Sequence, residues 1–362
     1  MRGIIYDKDG ESIEIVENSE TYCLPPEILN KNDTLIVLLL GSFGFNFRKF
    51  FQKEKLISKI FEYEKKYGKV NKILFIFNEV IVDPDPIYKL ENEIFKKCYY
   101  SSFDIEEGKD GKKIFMPLSL LSQLNYALDS GYLNAKGFLL TMTHNYYNLI
   151  KPHKAVFLSN HISPIRIEIF NILKNTDNLK NCAWSFQDRL VYYSGEDHDL
   201  DKFFKENSDI IPYSYDGFND KSVSLKSTYF YQFESYFEIC TESYFFKDIK
   251  GIEGCCPLTE KIVKPILSFI PFIFFGSPRT KFNLERIGLE FKCPLYGFYD
   301  NTNKNSIMEG LEHLRSIITL DIKEIHQIYF DHFGEYNRNN DAFLNHFITL
   351  KKSYNIFNSK II

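Results

Sequence analysis

The chain has 362 residues, 44% of them hydrophobic and 25% charged, with a formal net charge of −4. At roughly 100–200 residues per domain the length predicts two domains. The composition excludes wholesale disorder, and the acidic balance excludes a global basic field that would attract nucleic acid or an anionic membrane.

Aromatic residues make up 17% of the chain, with 35 Phe, 24 Tyr and a single Trp, enough to fill large cores. The seven cysteines form an odd set without a C-x-x-C spacing, which fits a reduced, intracellular protein, cytoplasmic or, for a viral chain, in the host cytoplasm. Residues 1–10 carry charges and no apolar h-region, so the reading includes no signal peptide. The longest apolar run, residues 266–276, falls short of the ~20 residues a bilayer span needs and reads as core.

In the first half, residues 33–40 (DTLIVLLL) are a continuous β-branched and Leu run that predicts a buried strand, followed by a glycine-containing turn at Gly41-Ser42-Phe43-Gly44. Residues 50–67 repeat apolar positions near a 3.6 period (Leu56, Ile57, Ile60, Phe61, Tyr63), which predicts an amphipathic helix stopped at Gly68. Residues 72–77 (KILFIF) form a second buried strand, ending at Asn78-Glu79 before the rigid loop Asp83-Pro84-Asp85-Pro86. Strand, helix and strand at this spacing make a βαβ unit with a parallel sheet. Residues 106–113 are a polar surface loop. Residues 118–128 and 133–149 are mixed apolar stretches without a clear period.

A second alternating region begins near Lys154. Residues 155–159 predict a strand and 164–173 a helix with Ile165, Ile169, Phe170 and Leu173 on one face. Residues 197–220 are charged and turn-rich, expected as a loop or lid. Residues 236–241 predict a strand, 259–269 a helix kinked at Pro265, 271–275 a strand, 279–287 a helix closed by Gly288, and 289–291 a very short strand. From Ser306 the pattern is helical. Two successive α/β regions predict two Rossmann-like domains with a cleft between them.

The chemistry concentrates between residues 236 and 291. In open α/β sheets ligands bind beyond the carboxyl ends of strands, and Glu242 sits at such an end. Thr259-Glu260-Lys261 opens the next helix, where free amides and the helix dipole favour an anion. A nucleotide sugar needs this combination. Its ribose diol pairs with a carboxylate, here Glu260. Its diphosphate needs cations or oriented amides, here Lys261, because the leaving nucleotide gains charge as the glycosidic bond breaks. Gly276 and Ser277 would let backbone approach the ligand.

The block Thr259-Glu260-Lys261, with Lys264-Pro265, Pro271-Phe272-Ile273 and Gly276-Ser277-Pro278, resembles the donor-binding motif of α1,3-fucosyltransferase-like enzymes, and more so that of their viral, phage and bacterial relatives. Leu284 and Gly288-Leu289 fit the end of that pattern, with Leu289 in place of the usual Phe. Upstream, Phe157-Leu158-Ser159-Asn160 and Arg166 resemble the family's apolar strand, Asn and later Arg, with Ile165 where the family has His. The likeness covers roughly residues 155–300.

The resemblance implies a GT-B fold. Residues 1–150 would form an acceptor-binding domain and 151–305 a nucleotide-sugar-binding domain, with helices over 306–362 returning to the first. It implies Arg166 as a second diphosphate ligand and a metal-independent, inverting transfer without a cofactor from a GDP- or UDP-linked sugar. The acceptor would be a glycan, a glycolipid or, for a phage protein, a modified DNA base. Inversion needs one carboxylate as general base. Glu79, at the end of a strand in the amino-terminal domain, is the first choice, with Asp83 and Asp85 as rivals.

Other chemistries fit less well. The eight histidines show no H-x3-H or H-E-x-x-H spacing, so no metal site is expected. Neither a G-x-G-x-x-G nor a G-K-[ST] loop occurs, which disfavours a dehydrogenase or NTPase. The alternative from another class is a non-catalytic sugar- or partner-binding protein on a degenerate GT-B fold. A two-domain epimerase is a third reading.

Overall fold

A computed structural model of the chain describes residues 3–6, 13–16, 34–39, 53–77, 90–102, 113–115, 132–159, 162–186, 200–211, 231–242, 260–277, 279–300 and 303–354. The protein is of the α/β class. It divides into two compact units, one of Met1–Gln123, Asp248–Thr259 and Leu344–Ile362, the other of Leu124–Lys247 and Glu260–Phe343. Among the described residues, no helix is long and apolar enough to cross a membrane.

The first unit holds strands β1 (Gly3–Tyr6), β2 (Ile13–Val16), β3 (Thr34–Leu39), β4 (Lys72–Phe77), β5 (Cys98–Ser102) and β6 (Lys113–Phe115). They form one sheet in the order β2-β1-β3-β4-β5-β6, parallel except for the β1–β2 pair. Helix α1 (Lys53–Tyr67) connects β3 to β4, and α2 (Asn92–Lys97) precedes β5. Ile73, Leu74 and Phe75 are consecutive and all fully buried. Burial on both faces is why β4 reads as an unbroken apolar run rather than an alternation.

Helix α1 buries Leu56, Ile57, Ile60 and Tyr63. The sequence also placed Phe61 on this stripe, but its side chain is 53% exposed. At 100° per residue it falls beside Ile60 but outside the arc that Leu56, Ile60 and Tyr63 share. Gly68 ends the helix with φ of +97° and its amide on the Glu64 carbonyl, a left-handed cap that costs glycine little. The Glu64 carboxylate accepts from the Val70 amide and from Lys97 Nζ, tying this turn to α2.

The second unit runs through α3 (Tyr132–Asn145), β7 (His153–Ser159), α4 (Pro164–Asn175), β8 (Cys182–Phe186), α5 (Leu200–Glu206) and β9 (Ser235–Thr241). It continues with α6 (Val263–Leu267), β10 (Phe272–Gly276), α7 (Thr280–Arg286), β11 (Gly297–Asp300), α8 (Lys304–Ile318), α9 (Ile322–Asp331) and the part of α10 (Phe333–Tyr354) up to Phe343. Its five strands are all parallel, in the order β11-β10-β9-β7-β8. The chain steps from β7 outward to β8, then returns past β7 to β9. The strand order therefore reverses between β7 and β9, the doubly wound arrangement whose switch point opens a crevice for ligands. Strand β9 is buried at every position.

Helix α8 lies against β11, β10 and α4, and α9 lies against β9. Lys154 of β7 donates to the Ile318 and Leu320 carbonyls at the end of α8, at 2.9 and 2.7 Å, a cation meeting carbonyls that the helix leaves unpaired. The sequence grouped residues 306–362 as helices returning to the amino-terminal domain. In the structure this segment is divided, with residues up to Phe343 in the second unit and those from Leu344 in the first.

Three expectations are corrected. Residues 289–291 are not a strand. Their backbone bonds to side chains of α10 instead: the Glu290 amide donates to Asn339 Oδ1 at 2.8 Å, and Asn339 Nδ2 donates to the Glu290 carbonyl at 2.6 Å. The fifth strand is β11. The charged stretch 197–220 contains α5, whose Phe203 is buried against Phe170 and Phe186. The expected helix over 259–269 is a 3-10 turn at Glu260–Ile262 followed by the five-residue α6. Pro265 falls in the first turn of α6, where its missing N–H is not needed.

Candidate functional site

The site is built where the strand order reverses. Arg166 lies in the first turn of α4, the helix that follows β7, with Pro164 at its first position fixing φ for the entry. Its side chain crosses to the end of β9. Nε donates to Thr241 Oγ1 at 2.7 Å and Nη2 to the Thr241 carbonyl at 3.2 Å. Arg166 is 4% exposed. Burial lowers its pKa to about 10 and the Glu242 carboxylate raises it in part, so the guanidinium stays charged at neutral pH.

Glu242 is the next residue. Its amide donates to the Phe275 carbonyl at 2.9 Å, extending the β9–β10 ladder one step past the strand. Neighbouring side chains along a strand alternate faces, so Thr241 turns toward α4 and Glu242 toward the 3-10 turn. There Lys261 Nζ donates to Glu242 Oε2 at 2.7 Å, with the carboxylate side chain 2% exposed and the lysine 25%. Arg166, bonded to Thr241 and within the field of Glu242, and Lys261, bonded to Glu242, thus come together at the carboxyl end of β9. The sequence treated Glu242 and Lys261 as separate ligands; the structure binds them to each other.

Gly276 lies at the crowded end of β10. A Cβ there would stand 2.3 Å from Phe274 Cε1 and 2.9 Å from Glu242 Cγ. Its missing side chain makes room for the Phe274 ring and for Glu242 itself. Ser277 is buried, and its carbonyl accepts from the Thr280 amide at 3.2 Å in the turn into α7. The expected helix N-terminus at Glu260 and Lys261 is also corrected. The 3-10 turn is three residues long and α6 five, too short to sum much of a macrodipole.

Of the residues named from sequence, Arg166, Glu242, Lys261, Gly276 and Ser277 converge here. Glu260 is described only as backbone, in the first position of the 3-10 turn. Thr259 and Asn160, and the three candidate bases Glu79, Asp83 and Asp85, lie outside the described residues.

Two features escaped the sequence reading. Thr241, read only as the end of a strand, bonds Arg166. Glu238, four residues before Glu242 on the same strand, is 8% exposed and accepts from Gln232 Nε2 at 3.1 Å. Burial raises its carboxyl to about 7, against the Lys264 ammonium and hydrogen bonds from Gln232 and Cys240. The available signal was an acid at the second of three alternate positions (Tyr236, Glu238, Cys240) in an otherwise apolar strand.

No family model matches the chain, and no curated protein matches it. Among solved structures, an α1,3-fucosyltransferase crystallised with GDP aligns over 94% of this chain and 96% of its own, at 14% identity and a TM-score of 0.39. A UDP-forming α,α-trehalose-phosphate synthase from Burkholderia vietnamiensis aligns over 92% of this chain and 76% of its own, at 8% identity and a TM-score of 0.41.

Proposed function

We propose that the chain is a GT-B glycosyltransferase that holds a nucleotide-sugar donor at the carboxyl edge of its second sheet. One observation carries this reading: Arg166, bonded to Thr241 and within the field of Glu242, and Lys261, bonded to Glu242, come together at the strand-order reversal. A donor's diphosphate carries negative charge, and the leaving nucleotide gains more as the glycosidic bond breaks. Cations already in place and shielded from water stabilise that charge without reorganising.

In this reading Arg166 and Lys261 hold the diphosphate and Glu260 the ribose of a GDP- or UDP-linked sugar. Transfer inverts the anomeric carbon, without metal or cofactor, onto a hydroxyl of a glycan, glycolipid or modified DNA base. The base that removes the acceptor's proton is proposed among Glu79, Asp83 and Asp85, with Glu79 first. Glu79→Gln is expected to abolish transfer while leaving donor binding intact.

A second reading is favoured by the same ion pair. The 2.7 Å contact between Lys261 and Glu242 would also serve as a structural tie in a non-catalytic binding protein. Screening nucleotide sugars for thermal stabilisation and slow donor hydrolysis separates the two. The proposal expects stabilisation by one nucleotide class and measurable hydrolysis, both lost in Lys261→Ala. Stabilisation without hydrolysis for any donor favours the binding protein, and no stabilisation at all contradicts both.

A further inference from the structure

We infer that Gln232 holds Glu238 as a neutral carboxylic acid, and that a nucleoside diphosphate bound at the end of β9 draws a proton onto it. The inference rests on the donor reading above. Glu238 lies in the middle of β9, and Gln232 in the helical turn before that strand. Gln232 is fully buried. Its Nε2 donates to Glu238 Oε2 at 3.1 Å. Its Oε1, bonded to the same carbon, is buried and has no partner among the described residues. A carboxylate can only accept, so it leaves that oxygen unsatisfied. A carboxylic acid has an O–H to give. Acid and amide then complement each other, one donating where the other accepts.

The surroundings favour the same form. Lys264 of α6 and Cys240 of the same strand act on the carboxyl along with Gln232. In register beside Glu238 stand Phe272 of β10 and Val156 of β7, both fully buried and apolar. Burial outweighs the ammonium and the hydrogen bonds, and the carboxyl is raised to about 7. Residues 238, 240 and 242 share one face of the strand. Glu238 therefore stands about 13 Å along that row from Glu242. A diphosphate at the donor edge adds negative charge to the end of the row, which favours the protonated form of Glu238. Linkage makes the effect reciprocal, so a proton on Glu238 tightens nucleotide binding.

The test titrates GDP, UDP, ADP and dTDP calorimetrically into the parent and into Glu238→Gln, with melting curves as the folding control. Two buffers of different ionisation enthalpy count the protons taken up per nucleotide. Glutamine keeps a neutral, complementary pair with Gln232, and Glu238→Met stands in if it fails to fold. The nucleotide's own phosphate titrates alike with both proteins and cancels in the difference. Near about pH 7.5 the parent is expected to take up roughly 0.3 proton more than the variant. Its affinity is expected to match the variant's near about pH 6 and to fall about threefold further by about pH 8.5. A charge pair about 13 Å apart at an effective dielectric of about 20 allows up to about eightfold. In the parent, nucleotide binding is also expected to strengthen the infrared band of a protonated carboxyl, and the variant lacks that change.

Equal proton uptake by parent and variant, with parallel affinities across pH, overturns the inference and leaves the donor reading standing. Loss of the protonated-carboxyl band on binding also overturns it, since Glu238 would then release its proton. Failure of the parent to bind any of the four nucleotides contradicts the donor reading and removes the inference with it.

Discussion

Lys261 and Glu242, nineteen residues apart in sequence, join through a 2.7 Å ion pair in which the carboxylate is almost wholly buried. The asymmetry of that burial decides what substitution does. Lys261→Met leaves the desolvated carboxylate without this ammonium. Breaking a buried pair costs about 3–5 kcal/mol, and the 25% exposure of Lys261 puts the expected loss at the low end. The double variant Lys261→Met, Glu242→Gln is expected to recover more than half of it, as chemical denaturation will measure. A double variant less stable than Lys261→Met contradicts this account of the pair.

Gly276→Ala tests the crowding at the end of β10. The new Cβ would meet the Phe274 ring at 2.3 Å and Glu242 Cγ at 2.9 Å, so both must move. Overpacking of this kind costs about 1–3 kcal/mol. The shift of Glu242 is expected to loosen Lys261 and to weaken nucleotide binding along with stability. An alanine variant with parental melting and parental binding would show the space to be larger than the geometry gives.

Glu238 makes stability depend on pH. Its carboxyl is raised to about 7 in the folded protein by burial, from an ordinary value of 4.5. Between those values the folded state holds a proton that the unfolded chain has released. The favourable contribution is therefore complete below about pH 4.5 and is lost as pH rises through 7. Glu238→Gln removes the titration. Relative to that variant, the parent is expected to lose up to about 3 kcal/mol between pH 5 and pH 8. Parallel curves for the two proteins, measured by denaturant midpoint, would contradict it.

Helix α9 offers a prediction on stability alone. Asp321 accepts from the Lys323 amide at 2.8 Å, and Glu324 returns a bond to the Asp321 amide at 2.8 Å, a complete capping box. Asp321→Ala is expected to cost about 1 kcal/mol without changing nucleotide binding, which gives a control for destabilisation remote from the site.

The parts legible in sequence are those whose signal is local. Strands β3 and β4 announce themselves because burial on both faces leaves no polar position to interrupt them. Helix α4 shows its period, and Gly68 and Gly288 mark helix ends by conformations with φ of +97° and +94°. Residues 289–291 read as a strand, but the Glu290 amide is met by Asn339 and the amide of Lys292, just beyond, by Glu335, both more than forty residues away. Strand β11, with sequence GFYD, is only partly buried and carries no alternation to find. The site divides the same way. Arg166, Glu242 and Lys261 could be named from a strand end and a motif, whereas the contacts joining them span 75 and 19 residues and exist only after folding.

The central claim is that Arg166 and Lys261 form an anion site for a nucleoside diphosphate. Calorimetric titration of that ligand at several salt concentrations, in the parent and in Arg166→Ala and Lys261→Ala, tests it most directly. The account expects saturable binding that weakens with salt in the parent and falls at least about tenfold in each variant. Equal affinity in all three proteins, or binding indifferent to salt, would contradict it.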